Sequence, residues 1–249
     1  MNGAAPPAID VNHAGQSFGD RVIFEDVTFT VATGEIFVVL GGSGCGKSTL
    51  LKQMIGLLPP TRGRITVGGH DVVSDVDAVR HEIGVMFQSG ALFGSMTLLD
   101  NVMLPLLMFT DLPVRARMEV ARLKLALVGL DGAINLLPSE ISGGMAKRAA
   151  IARALALDPP ILFLDEPSAG LDPITGAGLD RLILELRAAL GCTFVVVTHE
   201  LQSIFAISDR CVMLDAAARG MIALGVPQDL QRTSDNPTVR AFFNRDAGS

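Results

Sequence analysis

The chain has 249 residues, which suits one large domain or a main lobe with a smaller one, and its 49% hydrophobic content allows a sizeable core. A net charge of −6 and a pI near 5.2 argue against a general nucleic-acid binder, which needs a basic face. Three cysteines without the spacing of a metal site indicate a reducing compartment. The sequence shows neither a signal-like segment nor an apolar run of about 20 residues, so we predict a soluble, cytoplasmic protein.

The N-terminal part predicts an antiparallel sheet between Ile9 and Val31, after a flexible tail over residues 1–8. Short β-rich runs are broken there by Gly15 and by Gly19–Asp20. Phe18 lies in the first turn, where two roles are open for its ring. A lone Phe usually packs in a core, but a ring in a turn can also stack on a base.

A strand, a glycine-rich loop and a helix then follow one another. Ile36–Leu40 is an apolar run of strand length, and Thr49–Leu58 has the leucine spacing of a short helix ended by Pro59–Pro60. The loop between them fits G-x-x-x-x-G-K-[ST], in which backbone N–H groups and a helix dipole bind phosphate. Its residues are Gly41, Gly42, Ser43, Gly44, Cys45, Gly46, Lys47 and Ser48.

Individual side chains of this loop have predicted roles. Lys47 would reach the β- and γ-phosphates, and the Ser48 hydroxyl would ligate Mg²⁺. Thr49 is also assigned to the nucleotide-binding set. The alternative is a glycine turn in an ordinary βα unit, which the matching flanks disfavour.

Two further strands are predicted before residue 89. Gly63–Gly69 is typical of a strand with a hairpin turn, and Ile83–Phe87 is typical of a strand that ends at Gln88. A glutamine in such a place is usually an ordinary loop residue. Ligands, however, bind at the carboxyl edge of an α/β sheet, so Gln88 is a candidate ligand.

Residues 89–158 predict an inserted helical subdomain. Apolar side chains dominate 98–109, and the spacing in 114–128 predicts a helix with Leu123 on a buried stripe and Lys124 on the opposite face. The excess of apolar residues is either core or a docking surface, and the sequence leaves both open.

Ser142-Gly143-Gly144 comes directly before a strong helix that is predicted from Ala146 to Leu157. Ser142 is a natural N-cap. By itself this tripeptide is only a loop. At a helix start it can also present backbone N–H groups and a dipole to an anion.

Polar residues end two buried strands in the second half. Asp165 and Glu166 close Ile161–Leu164, and adjacent carboxylates there are costly unless they have a function. Asp165 can hold Mg²⁺ through water, while Glu166 can orient or deprotonate an attacking water. His199 follows Thr193–Thr198; a lone His is more often structural, but at this edge its imidazole can reach a γ-phosphate.

The C-terminal part predicts one long helix and a small addition to the sheet. Pro173 opens the helix, whose buried stripe extends to Leu190. Short strands near 211–214 and 221–224 complete the sheet, and residues 227–245 predict a short helical tail.

Taken together and in this order, the motifs resemble the nucleotide-binding subunit of ABC transporters, from about Ile9 to about Leu230. The resemblance implies an α/β P-loop NTPase core with an antiparallel β subdomain and the inserted helical subdomain at about 89–158. It divides the chain into an ABC ATP-binding domain at 9–230 and a C-terminal tail at 231–249.

The same resemblance assigns roles to the motif residues. The assignments are adenine stacking for Phe18, Walker A for Gly41–Ser48, contact with Mg²⁺ and water for Gln88, the signature for Ile141–Met145, Walker B for Asp165, the catalytic base for Glu166, the D-loop for Ser168–Asp172 and the switch histidine for His199.

Some positions depart from the family pattern. Ile141 and Met145 replace the Leu and Gln of the usual Leu-Ser-Gly-Gly-Gln signature, and Phe18 replaces a more common Tyr. The backbone donors of the signature and a π-face for stacking both survive these changes. The segments 142–154 and 171–175 are similar to the ATPases of Mla/Mce-type bacterial phospholipid transporters.

This family implies a subunit that binds ATP and Mg²⁺ and hydrolyses ATP to drive phospholipid transport between bacterial membranes. The expected partners are a second, head-to-tail copy, integral-membrane permease subunits, and the substrate-binding and small regulatory subunits of an Mla-like complex, with no nucleic acid. We expect the chain on the cytoplasmic side of the inner membrane, with the permease docked on the apolar 91–109 stretch.

The main alternative is a soluble ABC-type ATPase in DNA repair, translation or cofactor assembly. Such proteins tend to carry paired cassettes, long coiled-coil insertions or zinc-spaced cysteines, none of which appears in this sequence. A non-catalytic nucleotide-binding regulator is a third possibility, which Asp165, Glu166 and His199 disfavour.

Overall fold

A computed structural model of the chain describes residues 6–245, which form ten strands and nine α-helices. In chain order, the elements up to residue 109 are β1 (Ile9–Phe18), β2 (Arg21–Val31), β3 (Ile36–Gly41), α1 (Lys47–Met54), β4 (Arg62–Val67), β5 (His70–Asp71), α2 (Val76–Glu82), β6 (Ile83–Met86) and α3 (Leu98–Phe109). After them come α4 (Val114–Leu127), α5 (Gly143–Ala154), β7 (Ile161–Asp165), α6 (Pro173–Leu190), β8 (Thr193–Val197), α7 (Leu201–Ile207), β9 (Arg210–Asp215), β10 (Gly220–Gly225), α8 (Pro227–Thr233) and α9 (Pro237–Asn244).

The central sheet has the strand order β10-β9-β3-β8-β7-β6. Every pairing between β9 and β6 is parallel, and only the edge strand β10 is antiparallel. β3 and β8 are buried along their whole length, which explains their unbroken apolar sequences. The carboxyl ends of β3, β8, β7 and β6 therefore meet along one edge, where ligands bind in such sheets.

A second, antiparallel sheet has the order β2-β1-β4-β5, as predicted for the N-terminal part. Gly19–Asp20 turns β1 into β2, and Gly68–Gly69 turns β4 into β5. The predicted break at Gly15 is wrong, because β1 continues through it. The strand absorbs the irregularity as a register shift next to His13, whose φ is 50°.

Two apolar cores lie on the two faces of the central sheet. Because successive side chains of a strand point to opposite faces, Val38 packs with the helices α3, α5 and α6, whereas Val39 packs with the antiparallel sheet. The sheet edge that carries the candidate residues is thus held from both sides. This arrangement confirms the predicted α/β core with an antiparallel subdomain and an inserted helical one.

The predicted bounds of two helices are wrong. α1 ends at Met54 and not at Leu58, because Gly56 adopts a left-handed backbone with φ 70° and terminates it. α5 covers Gly143–Ala154 and not 146–157, because the Ser142 hydroxyl accepts the Met145 N–H at 3.3 Å and begins the helix earlier.

The bounds predicted for α4 are confirmed within one residue, but two positions of its predicted faces, Leu123 and Lys124, are wrong. Leu123 is 59% exposed, while Lys124 is buried and pairs with Asp158. Ala121 and Leu125 form the buried face instead. The aliphatic stem of Lys124 lies on that face, and its ammonium reaches a carboxylate at the edge of the subdomain.

The apolar side chains of α3, for which the sequence left core and surface roles open, are divided between the two. Leu98, Val102 and Leu106 are core residues. At its C-terminal end, however, Leu107, Met108 and Phe109 are exposed. The apolar excess of this segment therefore contributes both to the core and to the surface.

The C-terminal helices pack onto the fold. Val239 and Phe243 of α9 are buried, and the Phe243 ring lies 5.6 Å from that of Phe205 on α7. Leu190, predicted on the buried stripe of α6, is 37% exposed.

Residues 1–5 and 246–249, which belong to the two predicted tails, lie outside the described residues. Among those that are described, no helix combines the length and apolar character needed to cross a membrane.

Candidate active site

The phosphate loop connects the end of β3 to the start of α1, as predicted. Gly41, Gly44 and Gly46 have φ values of 145°, 75° and 103°. A Cβ at Gly41 would lie 2.2 Å from the Leu214 carbonyl oxygen, so a side chain there would force the backbone to shift. Gly46 is the N-cap of α1 and supplies no side-chain cap, which leaves the first N–H groups of the helix available to an anion.

Two side chains of the loop point in different directions. Lys47 Nζ donates to the carbonyl oxygens of Gly41 at 2.8 Å and Gly42 at 3.0 Å, so the ammonium lies over the loop. The Cys45 side chain is buried in the core, where burial raises the pKa of its thiol. Cys45 can therefore serve a nucleotide through its backbone only.

Phe18 lies at an open cleft of about 350 Å³ beside the start of α1. The ring is 52% exposed, so the core-packing alternative is wrong. Ser48 and Thr49 line the same cleft, together with Gly44 and Lys47. The geometry leaves room for a base against Phe18 while the phosphates lie on the loop.

A second cavity, of about 480 Å³, brings three predicted motifs together. The first residues of the phosphate loop form one wall, and Lys47, Glu166 and His199 complete it. The ends of β3, β7 and β8 are adjacent in the sheet, which explains why residues far apart in sequence meet here. Phe242 of α9 also lines this cavity.

Glu166 is held at both its backbone and its side chain. Its φ is 47°, and its N–H donates to the Val197 carbonyl oxygen at 2.8 Å. Oε1 lies 2.8 Å from Nδ1 of His199, whose side chain is 62% exposed. Oε2 is buried and has no hydrogen-bond partner among residues 6–245, which is unusual for a buried carboxylate oxygen and is typical of a functional site.

Asp165 ends β7 one residue before Glu166. Burial and then the neighbouring Glu166 carboxylate raise the pKa of Asp165, while the ammonium groups of Lys147, Lys47 and Lys52 act in the opposite direction. A divalent cation would relieve the repulsion between the two carboxylates, so this pair fits Mg²⁺.

Gln88 follows β6 and is exposed. Its backbone carbonyl oxygen accepts a hydrogen bond from Lys147 at 2.5 Å. In the described part of the chain, Gln88 does not line the cavity of Glu166 and His199. Its role as a ligand of Mg²⁺ or water stays a prediction.

Ser142, Gly143 and Gly144 lie at the start of α5, away from the phosphate loop of the same chain. A Cβ at Gly144 would meet the Thr175 side chain at 2.5 Å, which places the tripeptide against the start of α6. Within residues 6–245, it lines neither the Phe18 cleft nor the His199 cavity. Among the residues described, the start of α5 therefore does not line the openings beside the phosphate loop of its own chain.

Sequence reasoning missed two residues near the site, Lys147 and Phe242. Lys147 lies in an alanine-rich helix next to Arg148, and the sequence does not tell which of the two cations is buried. For Phe242 no sequence signal exists, because the fold alone brings α9 to this cavity.

Comparisons with known proteins place the chain among familiar relatives. Residues 24–169 match the family model described as ABC transporter. The chain is 42% identical over 240 residues to the intermembrane phospholipid transport system ATP-binding protein MlaF of Escherichia coli K12, covering 95% of this chain and 88% of that protein. It is 44% identical over 241 residues to the probable ribonucleotide transport ATP-binding protein mkl of Mycobacterium tuberculosis H37Rv. That match covers 95% of this chain but only 66% of the relative.

A solved structure has the same fold. It is described as a dimeric, post-hydrolysis state of the ATP-binding cassette MJ0796 bound to ADP and Pi. The TM-score is 0.77 at 29% identity, over 88% of this chain and 98% of that one. With the family model matching more than half of its residues, the chain belongs to the ABC transporter family.

Proposed function

We propose that the chain is the ATP-binding and ATP-hydrolysing subunit of an ABC transporter that moves phospholipid between bacterial membranes. The observation that carries the proposal is the single cavity that joins the phosphate loop, Glu166 and His199. MJ0796, a cassette of similar fold, holds ADP and Pi, which are the products of ATP hydrolysis.

The nucleotide would lie across the two openings on either side of the phosphate loop. Phe18 would stack on the adenine, and the loop N–H groups with Lys47 would hold the phosphates. Ser48, Asp165 and Gln88 would hold Mg²⁺, which when bound neutralises charge on the phosphates.

Glu166 is the proposed general base. His199 contacts its carboxylate through Oε1, and both side chains line the cavity in which an attacking water would lie. The protonated carboxyl would pass the proton on to solvent along the exposed His199 side of the cavity. Phe242 lines the same space and excludes part of the bulk water.

A second copy would complete the site. Ser142–Gly144 of one chain would bind the phosphates held by the loop of the other, with Ser142 as the helix cap. Since ATP then contacts both chains only in the closed dimer, its binding favours closure and its hydrolysis favours reopening. The dimeric state of MJ0796 supports this arrangement.

The transporter role rests on MlaF, whose length the chain nearly spans, and on a surface suited to a membrane partner. The exposed Leu107, Met108 and Phe109 at the end of α3 form an apolar patch where permease subunits would dock. The chain would then lie at the cytoplasmic face of the bacterial inner membrane. The substrate-binding and small regulatory subunits of an Mla-like complex are further proposed partners.

ATP turnover by the purified chain tests the site. Lys47→Ala should abolish nucleotide binding or turnover, and Glu166→Gln should bind ATP while hydrolysing it about 100- to 10,000-fold more slowly. Nucleotide affinity and phosphate release are measured on the same samples. Undiminished hydrolysis by Glu166→Gln would reject Glu166 as the base.

Co-purification from membranes tests the cargo. We expect the chain to be recovered with an integral-membrane permease and phospholipid, and vesicles of that phospholipid to stimulate ATPase activity of the complex. Stimulation by ribonucleotides instead would favour the activity in the mkl name. Recovery with ribosomes or DNA would support the soluble alternative, which the acidic net charge of the chain disfavours because nucleic-acid binding needs a basic surface.

A further inference from the structure

Lys147 is a buried cation in the second turn of α5, the helix that begins at Ser142–Gly144. It is 8% exposed, with Ala149 and Ala150 of the same helix buried beside it. An ammonium in such a place is costly unless it is hydrogen-bonded and near opposite charge. Its contacts should therefore explain why it is there.

Lys147 Nζ donates to two backbone carbonyls at the edge of the central sheet. One is that of Gln88, at 2.5 Å, and the other is that of Glu166, at 3.1 Å. These residues follow β6 and β7, which pair in parallel with Met86 opposite Leu164. One ammonium thus joins the ends of two adjacent strands to the helix.

The charges around Lys147 support this position. Burial lowers its pKa, while the carboxylates of Glu166, Asp165 and Glu200 act in the opposite direction. The cation is consequently compensated by the acidic groups of the active site itself.

Glu166 has a backbone that needs outside support. A left-handed conformation at a residue with a side chain costs about 1–3 kcal/mol and persists where the surroundings enforce it. The Glu166 N–H donates to the Val197 carbonyl oxygen, and the Glu166 carbonyl oxygen accepts from Lys147 at 3.1 Å and from the Ala169 N–H at 3.2 Å, so Lys147 supplies the only charged donor of the two. Both backbone polar groups of Glu166 are therefore fixed, and with them the direction of its carboxylate toward His199.

We infer that Lys147 is a positioning residue for Glu166, which it holds in its left-handed conformation and links to Gln88 and to α5. The inference rests on the proposed ATPase function and deepens it. A displacement of α5 with the helical subdomain would pull on the carbonyls of both residues together. Lys147 acts through Glu166 and contacts neither nucleotide nor water in this role.

The test compares three variants of the full chain. Lys147→Met keeps the length of the side chain but removes its donors, whereas Lys147→Arg keeps donors at that position. The matched control is Lys124→Met, since Lys124 is the other buried lysine, lies in the same subdomain and pairs with Asp158. The readouts are kcat and KM for ATP, with thermal unfolding alongside.

We expect kcat of Lys147→Met to fall about 10- to 100-fold, because a small misplacement of a catalytic group has effects of this size. KM should stay within about twofold, since the phosphate loop is untouched. Lys147→Arg should recover most of the rate. Lys124→Met should keep kcat even if both methionine variants lose thermal stability.

A double-mutant cycle separates positioning from other roles. In the Glu166→Gln background, Lys147→Met should lower the residual rate no further, because it acts through the missing carboxylate. If Lys147→Met does not fold, Lys147→Leu, which also removes the donors and is a strong helix former, takes its place in the same cycle.

Three results would overturn the inference while leaving the proposed function standing, provided that the parent hydrolyses ATP and Glu166→Gln does so far more slowly. They are an unchanged kcat in Lys147→Met, an equal loss of kcat in Lys124→Met, and additive losses in the cycle. A parent chain without ATPase activity would overturn the proposed function and, with it, this inference.

Discussion

The phosphate loop contains two adjacent glycines, Gly41 and Gly42, whose surroundings differ. Gly41 has φ 145°, and a Cβ there would lie 2.2 Å from the Leu214 carbonyl oxygen. At Gly42 a Cβ would meet no atom within 4 Å. Gly41→Ala should therefore destabilise the fold by about 1–3 kcal/mol, while Gly42→Ala should change it by less than about 0.5 kcal/mol.

Urea unfolding of the nucleotide-free variants measures this difference. Because the two positions share one loop, any general effect of alanine there appears in both. Similar midpoints for the two variants would mean that the loop relaxes around a Cβ at Gly41 and that its approach to β9 is not rigid.

We predict that Asp165 and Glu166 lower the stability of the fold although they serve the proposed reaction. Their two carboxylates are adjacent and repel each other, and Oε2 of Glu166 has no partner among the described residues. Removing one charge should stabilise the nucleotide-free chain, so we expect Glu166→Gln to unfold with a free energy about 1 kcal/mol higher near pH 7.5.

The pH dependence follows from the sign of the Asp165 shift. Its pKa is raised in the folded chain, so its ionisation costs stability above that pKa, and the cost disappears as the pH falls. The gain from Glu166→Gln should accordingly be smaller at about pH 5 than near pH 7.5. Urea unfolding of the parent and of Glu166→Gln at both pH values measures the difference in their free energies of unfolding. A difference that grows on acidification would contradict this prediction.

At the level of elements, strands were easier to predict than helices. The buried strands, such as β3 and β8, are continuous apolar runs, and their sequences admit few other structures. Helix ends depend on single residues whose backbone the sequence does not reveal, as Gly56 shows for α1. The buried face of α4 was misjudged because a lysine stem packs like an aliphatic residue once a carboxylate is within reach of its ammonium.

Candidate site residues were predictable for a related reason. The ends of parallel strands meet at one edge, so Asp165, Glu166 and His199 could be grouped from the strand order that their spacing implies. The partner of a buried side chain is a property of packing. For that reason neither the two carbonyls bound by Lys147 nor the position of Phe242 could be predicted.

The C-terminal helix α9 offers a test of where the domain ends. Phe243 is buried against α7, whereas its neighbour Phe242 is only partly buried. Phe243→Ala should lower the free energy of unfolding by about 3–5 kcal/mol, and Phe242→Ala by less than half of that. Thermal or urea unfolding of both variants checks the difference. A parent-like Phe243→Ala would mean that α9 is a dispensable appendage.

For the whole molecule, the decisive observation is that the two helix starts proposed to bind phosphate do not line one common opening in the part of the chain that is described. The start of α1 carries the phosphate loop, while the start of α5 lines neither of the two openings beside that loop in the described structure. A two-fold dimer can bring each α5 to the loop of the other chain and thus form two identical sites. Each site would then contain residues from both copies.

Mixing two inactive variants tests this sharing. Lys47→Ala removes the loop ammonium, and Gly143→Asp places a carboxylate where phosphate should bind; a Cβ at Gly143 meets only an ordinary contact at 3.7 Å, and an acidic residue suits a helix start. Each variant alone should be inactive. An equal mixture should recover roughly a quarter of the parental rate, because half of the dimers are mixed and each has one intact site of two. Phosphate release across mixing ratios measures the recovery. No recovery at any ratio, with a parental rate that rises only linearly with concentration, would instead indicate a site completed within one chain.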